Sequence, residues 1–275
     1  MMRSQSDAEI AAQAASLAGE LLLQLRHGAA TDTATDSDAL RTAGDRDANR
    51  AIMKLLANER PEDSLLSEEA ADDPRRLGDD RVWIIDPLDG TREFGERDGA
   101  GVWRDDFAVH VALWERGEGL TLGVVGLPAR GVIYRSDAPP AVPSSPAGKL
   151  RIAVSRTRPP AFIAALETAG SAALVPMGSA GVKVIAVVSG EVDVYIHAGG
   201  QYQWDSAAPI AVALAAGLVA TRLDGSPLRY NLPELLLPDL VVCHPDRAGE
   251  VRALLDAAGF RPDGASGAGA AESAE

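Results

Sequence analysis

The stretch WIIDPLDGTREF (83–94) carries the decisive information about the fold. The apolar residues at 82–85 predict a short buried strand that delivers Asp86 to its carboxyl end, where layered α/β proteins usually place functional side chains. Pro87 fixes a backbone torsion, so we expect the strand to stop there and the chain to turn, which brings Asp89 back beside Asp86. Two carboxylates held that close repel each other strongly unless a cation lies between them. The segment therefore predicts a cation site at the end of a buried strand.

The two residues that follow suit a ligand that approaches the backbone. Gly90 has no side chain to block such an approach, and Thr91 offers a hydroxyl and a backbone N–H. Taken alone, the segment has a second interpretation, an Asp-Pro turn followed by Asp-Gly at the surface. The rest of the sequence must decide between the two.

Three further acidic residues fall at the predicted ends of strands or helices. Glu68 follows an apolar pair that indicates a strand, and Asp45 is expected at the start of a helix over about 42–58. Asp205 is expected at the N-cap of an alanine-rich helix that stops at Gly217. Each has an ordinary alternative: an acidic surface turn for Glu68, a first-turn acid for Asp45 and a plain cap for Asp205.

The order of strand and helix signals predicts a layered α/β fold in two lobes. Two helical stretches and an antiparallel meander of strands precede residues 136–149, which hold four prolines, show no periodicity and read as a surface loop. Beyond that loop, strands and helices alternate. We expect an N-terminal α+β lobe over 1–140 with most of the cation ligands, a C-terminal α/β lobe over 150–260, and a disordered tail over 261–275.

Composition narrows the function. The net charge of −14 argues against binding of polymeric nucleic acid, which requires a basic surface. The single Cys243 excludes an intramolecular disulfide and suits a reducing compartment. Neither a signal peptide nor a membrane span is expected, because the longest apolar run, 207–220, is too short and contains proline and glycine. These features predict a cytoplasmic protein.

The motifs LSEE (66–69), DPLDGT (86–91) and WDSAA (204–208) occur in an order that resembles the lithium-sensitive, magnesium-dependent phosphatase superfamily. Its members include inositol monophosphatases, fructose-1,6-bisphosphatases and 3′-phosphoadenosine 5′-phosphate phosphatases. The resemblance extends from about residue 7 to about residue 245. It implies an αβαβα sandwich whose metal site lies between two lobes, and it implies sensitivity to lithium.

The resemblance also assigns roles to matching positions. It implies that two or three Mg²⁺ ions are held by Glu68, Asp86, Asp89, Asp205 and the carbonyl of Leu88. These are hard oxygen donors, as magnesium prefers, and no Cys or His cluster suggests zinc.

The same matching positions give the catalytic and substrate contacts. Asp45 and Thr91 would orient and deprotonate the water that attacks phosphorus in line. The substrate contacts implied are Glu68, Leu88, Asp89, Gly90, Thr91, Gly178, Ser179 and Asp205.

The segment MGSAGVKVIAVVSG (177–190) is interpreted as a phosphate cradle in the second lobe. Gly178, Ser179 and Gly181 open a helix, and small residues there leave backbone N–H groups for an anion. The alternative is a plain helix start capped by Ser179. Lys183, one turn further, is expected either to contact a phosphate or ribose or to be solvated.

Two other positions have no predicted role in the site. His110, in a strand-like run, is expected to be a packed core residue with no catalytic role. Pro209 replaces the small residue that is usual after the WDSAA motif, and a helix tolerates proline in its first turn.

The continuation Arg92-Glu93-Phe94 after the DGT turn resembles the 3′-phosphoadenosine 5′-phosphate phosphatase branch, as do LSEE and VSRTRPP (154–160). The GSAGVK run has the length of the inositol type. We therefore expect release of the 3′-phosphate of 3′-phosphoadenosine 5′-phosphate, with Arg104 and Arg158 as candidates to meet the second phosphate.

Other functions stay open at this point. Inositol 1-phosphate and fructose 1,6-bisphosphate are the alternative substrates. A non-catalytic metal-binding interaction protein is the alternative of another class. The partners expected are a small phosphorylated metabolite and a second copy of the chain, as a homodimer, with no membrane.

Overall fold

A computed structural model gives the arrangement of residues 5–31, 36–157, 159–160, 162–163 and 172–260. The helices are α1 (Asp7–Thr31), α2 (Ser37–Glu59), α3 (Thr91–Phe94), α4 (Ala180–Val188), α5 (Gln203–Ala215) and α6 (Ala248–Ala257). The strands are β1 (Ser64–Ser67), β2 (Arg81–Asp89), β3 (Ala108–Glu115), β4 (Gly119–Leu127), β5 (Val132–Arg135), β6 (Leu150–Ser155), β7 (Ala172–Met177), β8 (Val194–Tyr202), β9 (Val219–Thr221) and β10 (Leu236–Cys243).

The strands form two five-stranded sheets that follow each other along the chain. The first has the order β1-β2-β3-β4-β5; β1 is parallel to β2 and the other neighbours are antiparallel. The second has the order β7-β6-β8-β10-β9, with β7, β6 and β8 parallel and β10 and β9 antiparallel to their neighbours. Residues 136–149 separate the sheets in sequence, and the lobe boundaries at 140 and 150 stay a prediction.

Side-chain alternation along β2 shows how the layers stack. Trp83 and Ile85 are buried in a cluster with α1 and α2, whereas Val82 and Ile84 are buried in a second cluster with α4, α5 and the inner face of the second sheet. A third cluster covers the outer face of the second sheet and includes Val251 of α6. The layers are therefore helix, sheet, helix, sheet and helix, as the expected αβαβα sandwich requires.

Several boundaries differ from those that the sequence indicated. Helix α2 begins at Ser37, so Asp45 lies within the helix and not at its start. Strand β2 continues through Pro87 to Asp89, because the strand accommodates the proline at an irregularity in its pairing with β3.

Other expectations fall on parts of the chain without a described structure. The tail at 261–275 and Arg158 lie outside the described residues, as does most of a helix expected near 160–169. Within the described residues, no helix combines the length and apolar character that crossing a membrane requires.

Helix α5 lies very close to the first sheet at Gly123 of β4. A Cβ atom placed there would come within 2.4 Å of the Ala208 carbonyl oxygen and 2.6 Å of the Ala211 Cβ. Both obstacles belong to a buried helix that packs against β2, β3 and β4. Glycine at this position therefore sets the distance between the middle helix layer and the first sheet.

We predict that Gly123→Ala lowers the free energy of unfolding by about 1–3 kcal/mol, because the helix and sheet must separate to admit the methyl group. Urea denaturation measures the change. Gly249→Ala in α6 is the control, because a Cβ there meets nothing within 4 Å. An unchanged midpoint for Gly123→Ala would contradict the close packing of α5.

Candidate metal and phosphate site

An extra residue in β2 brings Asp86 and Asp89 to the same side of the sheet. Residues three apart in a regular strand point to opposite faces. Here Asp86 pairs with His110 and Asp89 with Ala108, so β2 uses one residue more than β3 over this interval. Such a bulge restores the common orientation of the two carboxylates. The sequence correctly indicated the proximity, but the cause is a bulge in a continuing strand.

Asp205 completes a cluster with these two residues. Single oxygen atoms of Asp86, Asp89 and Asp205 all lie within 4.8 Å of one another. Asp205 is the third residue of α5, and its Oδ2 reaches back to accept a hydrogen bond of 2.7 Å from the N–H of Tyr202. Its expected position at the N-cap is thus wrong by three residues, although its carboxylate does cap the helix.

Each of the three carboxylates has one oxygen anchored by a backbone N–H. Asp86 Oδ1 accepts from Leu88 N at 3.0 Å, and Asp89 Oδ2 accepts from Gly181 N at 2.7 Å. The Ser179 hydroxyl also donates to Asp89 Oδ2, at 2.5 Å. Asp86 Oδ2 is buried and has no hydrogen-bond donor among the described residues. A hard cation is the partner that this set of buried oxygens fits.

The electrostatics of the cluster agree with that conclusion. Burial, together with the nearby charge of Asp89, raises the pKa of Asp205 to about 8. Burial and the charges of Glu68 and Asp89 hold the pKa of Asp86 well above its usual range. Without a cation, ionisation of these groups therefore destabilises the folded protein.

Glu68 lies at the edge of the cluster. It follows β1, whose last residue pairs with Ile85, so it is placed beside Asp86. The residue as a whole is exposed, but its carboxyl group is enclosed next to Asp86, and this burial together with the charges of Asp89 and Asp45 raises its pKa to about 7. It is not one of the three residues within 4.8 Å, and its role as a ligand stays a prediction.

Thr91 and Asp45 meet beside the cluster. The Thr91 hydroxyl lies 3.2 Å from Asp45 Oδ1 and 3.0 Å from the Leu88 carbonyl oxygen, and its single hydrogen can serve one of them at a time. Burial and the charge of Glu69 raise the pKa of Asp45 to about 6. Asp45 can therefore take a proton at neutral pH, and Thr91 can relay one to it.

Gly90, between Asp89 and Thr91, has a φ of +87°. A Cβ atom there would lie 3.2 Å from both the Asp106 carbonyl oxygen and the Ser179 Cβ. Glycine is therefore required both by the left-handed backbone and by the close approach of Asp106 and Ser179.

The start of α4, which the sequence predicted to be a phosphate cradle, makes hydrogen bonds to carboxylates of the protein itself. Ser179 caps α4, and the donors of Ser179 and Gly181 are directed to Asp89, while Gly178 N donates to Asp106 at 2.7 Å. The start of α4 therefore anchors a carboxylate of the first lobe. Contact of Gly178 and Ser179 with substrate stays a prediction.

Lys183 is buried, which excludes the solvated lysine that was one of its two interpretations. Its Nζ donates to the carbonyl oxygens of Gly178 (3.2 Å) and Ser179 (2.6 Å). Burial lowers its pKa, although the negative charges of Asp89 and Glu93 act in the opposite direction. The lysine thus fixes the loop that carries the start of α4.

The structure adds a contact that no motif indicated. Arg156 pairs with Glu93 (3.0 Å) and with Asp106, which ties the end of β6 to α3 and to the loop before β3. Their sequence separation is large, so only the folded chain reveals this contact. Arg104 lies 3.4 Å from Glu96.

His110 is a packed residue, as expected, but it packs against the site. Its ring is fully buried, with Nδ1 3.3 Å from the Trp204 carbonyl oxygen and Nε2 3.4 Å from Asp89 Oδ2. A Cβ at Gly181 would lie 2.0 Å from its Nε2, so the ring fills the space that this glycine leaves. Burial lowers its pKa, which favours the neutral imidazole.

A five-layer α/β sandwich with a cluster of buried carboxylates between its two sheets defines a class of metal-dependent proteins. The inositol monophosphatase family model matches residues 4–256, which is nearly the whole chain. The chain therefore belongs to the inositol monophosphatase family.

Individual relatives agree with this assignment. The 3′-phosphoadenosine 5′-phosphate phosphatase of Mycobacterium tuberculosis (strain CDC 1551 / Oshkosh) is 52% identical over 238 residues, covering 84% of this chain and 86% of that protein. The 3′(2′),5′-bisphosphate nucleotidase CysQ of Escherichia coli O157:H7 is 33% identical over 241 residues, covering 82% and 94%. The crystal structure of CysQ from Bacteroides thetaiotaomicron superposes with a TM-score of 0.73 at 31% identity, covering 86% and 97%.

The raised carboxyl pKa values give a prediction about stability. A carboxyl whose pKa is raised on folding binds more protons in the folded state, so stability falls as pH rises from the usual value of about 4 through the raised value. We expect the melting temperature of EDTA-treated protein to fall from about pH 5 to about pH 8, and Mg²⁺ to restore more stability at the higher pH. Asp86→Asn should flatten the pH dependence and reduce the Mg²⁺ effect.

Asp239→Asn is the matched control. Asp239 accepts hydrogen bonds from Arg222 and from Leu223 N, so its loss should lower the melting temperature without changing the Mg²⁺-induced shift. A Mg²⁺ shift in Asp86→Asn as large as in the unchanged protein would contradict a cation site at Asp86.

Proposed function

We propose that this chain hydrolyses the 3′-phosphate of 3′-phosphoadenosine 5′-phosphate, producing AMP and phosphate, and that it requires Mg²⁺. The observation that carries the proposal is the convergence of Asp86, Asp89 and Asp205 beside the Asp45–Thr91 pair. The proteins named 3′-phosphoadenosine 5′-phosphate phosphatase, at 52% identity, support the substrate.

The chain's own residues supply the steps of the reaction. Asp86, Asp89 and Asp205, with Glu68 and the Leu88 carbonyl, would hold Mg²⁺, which supplies Lewis-acid stabilisation of the charge on the phosphate oxygens. Thr91 would accept a hydrogen bond from the attacking water or take its proton, and Asp45 would receive the proton that Thr91 gives up. The left-handed turn at Gly90 leaves the N–H groups at the start of α3 without a side chain over them.

The roles assigned by resemblance are kept as parts of this proposal. They include two or three Mg²⁺ ions, substrate contact at Gly178 and Ser179, lithium sensitivity and assembly as a homodimer. A cytoplasmic location also stays a prediction. Hydrolysis of inositol 1-phosphate is the second candidate, which the family supports.

A side-by-side assay decides between the substrates. The 5′-phosphate and the base of the bisphosphorylated nucleotide can help to orient the 3′-phosphate, so removing them should cost turnover as well as affinity. We predict that kcat/KM for 3′-phosphoadenosine 5′-phosphate exceeds that for inositol 1-phosphate by at least about tenfold, or about 1.4 kcal/mol. Fructose 1,6-bisphosphate is the third substrate to include. Equal or reversed specificity at the same Mg²⁺ concentration would refute the proposed substrate but not the assignment as a phosphatase.

The proton-accepting role of Asp45 has its own test. Turnover should rise with pH as Asp45 loses its proton, and Asp45→Asn should lower kcat by roughly 10²–10⁴-fold. The charge of Glu69 raises the pKa of Asp45, so Glu69→Gln should move the acidic limb of the kcat profile to lower pH and leave the plateau unchanged. Glu62→Gln, at an exposed turn, is the control. A limb that stays in place in Glu69→Gln would exclude Asp45 as its source.

A further inference from the structure

Tyr202 is an exposed aromatic residue at the edge of the carboxylate cluster. Among the described residues it is the only exposed aromatic side chain, with a relative accessibility of 46%. It immediately precedes α5, and its backbone N–H is the donor that anchors Asp205 Oδ2 at 2.7 Å. The side chain is therefore held next to a residue of the site by a bond that does not involve the side chain itself.

The orientation of the Tyr202 ring is fixed by Trp204. The two rings are nearly parallel, at an angle of 10°, with their centroids 4.7 Å apart. Trp204 is buried in the cluster between the sheets, so it provides a rigid base for the tyrosine. One face of the Tyr202 ring lies on Trp204, and the exposure of the residue leaves the other face and the edge for a ligand.

A second exposed apolar residue widens this surface. Leu236 of β10 pairs directly with Tyr202 of β8 and has a relative accessibility of 45%. Cross-strand partners lie on the same face of a sheet, so the two side chains are neighbours. A Cβ atom at Gly199 of β8 would meet nothing within 4 Å, whereas one at Gly200 would lie 3.2 Å from Leu236 Cδ2. The Leu236 side chain therefore lies over Gly200, and the surface next to Tyr202 is open at Gly199.

The position of Tyr202 agrees with the geometry of phosphate hydrolysis. In an in-line displacement the leaving group lies opposite the attacking water. Asp45 lies on α2, in the helix layer outside the first sheet, and Thr91 hydrogen-bonds to it there. Asp205 lies on α5, in the layer between the sheets, and Tyr202 is the last residue of β8 in the second sheet, directly before α5. With the attacking water beside Asp45 and Thr91, we expect the leaving nucleoside on the opposite side of the phosphate, next to Tyr202.

We propose that Tyr202, supported by Trp204, is the platform on which the base of the nucleotide substrate stacks. The inference rests on the proposed function and identifies the residue that recognises the base. A planar base fits a flat, pre-oriented aromatic ring, and stacking of this kind tolerates any base because each presents a π face. The phosphate site itself needs no contribution from the Tyr202 side chain.

The test compares Tyr202→Ala with Tyr202→Phe in the presence of Mg²⁺. Calorimetry measures the binding of AMP, which has a base, and of inorganic phosphate, which has none. We expect Tyr202→Ala to weaken AMP by at least about tenfold and to change phosphate by less than about twofold, because stacking on an aromatic ring is lost and the backbone anchor of Asp205 is retained. Tyr202→Phe should bind both as the unchanged protein does.

Leu214→Ala is the matched control, since Leu214 is an exposed apolar residue near the other end of α5. Equal weakening of AMP and phosphate in Tyr202→Ala would show a structural effect on Asp205 and overturn the proposal, as would unchanged AMP binding. Absence of turnover of 3′-phosphoadenosine 5′-phosphate by the unchanged protein would instead refute the proposed function. Turnover with no dependence on Tyr202 would refute only the stacking platform.

Discussion

The mutual repulsion of Asp86, Asp89 and Asp205 is the constraint on which the site depends. Three carboxylates with oxygens within 4.8 Å, two of them buried, are held together by the fold against their charges. The fold does so by anchoring one oxygen of each with a backbone N–H, from Leu88, Gly181 and Tyr202 respectively. Backbone donors cannot move away without unfolding their element, so the three carboxylates stay close together around the centre of the cluster. A cation at that centre relieves the repulsion that the folding of the chain creates.

At the carboxylate cluster, the five-layer fold brings together residues that are far apart in sequence. Strand β2 supplies Asp86 and Asp89 from the first sheet, and the starts of α4 and α5 supply the groups that hold or join them from the second lobe. Asp89 accepts hydrogen bonds from Ser179 and Gly181, so the candidate metal site is also a point of contact between the two parts of the chain. His110 fills the space behind that junction, in contact with Gly181.

The sequence predicted what its local motifs specify. The DPLDGT segment indicated the pairing of Asp86 with Asp89 because its spacing brings them together whether the chain turns or bulges. The small residues before α4 and the acidic residue near the start of α5 also allowed the starts of both helices to be predicted to within a few residues. The alternation of strands and helices beyond residue 149 predicted α/β layering, and the family resemblance implied the order of the layers.

Features that depend on distant partners were not predictable. The bulge in β2 is defined only by its pairing with β3, and local rules instead favoured a stop at Pro87. Lys183 is charged and lies on a helix, which favoured solvent exposure as much as ligand contact, but the carbonyl oxygens of Gly178 and Ser179 compensate its burial. The contact of Arg156 with Glu93 spans the two lobes and has no local signal.

The most direct test of the account is to locate the cations themselves. Crystals grown or soaked with Mn²⁺, which accepts the same oxygen ligands as Mg²⁺, give an anomalous-scattering map that marks each ion. The account predicts at least one strong peak in contact with carboxylate oxygens of Asp86, Asp89 and Asp205 together. A fully occupied Mn²⁺ peak elsewhere, with these three carboxylates bound only to water or to protein, would contradict it.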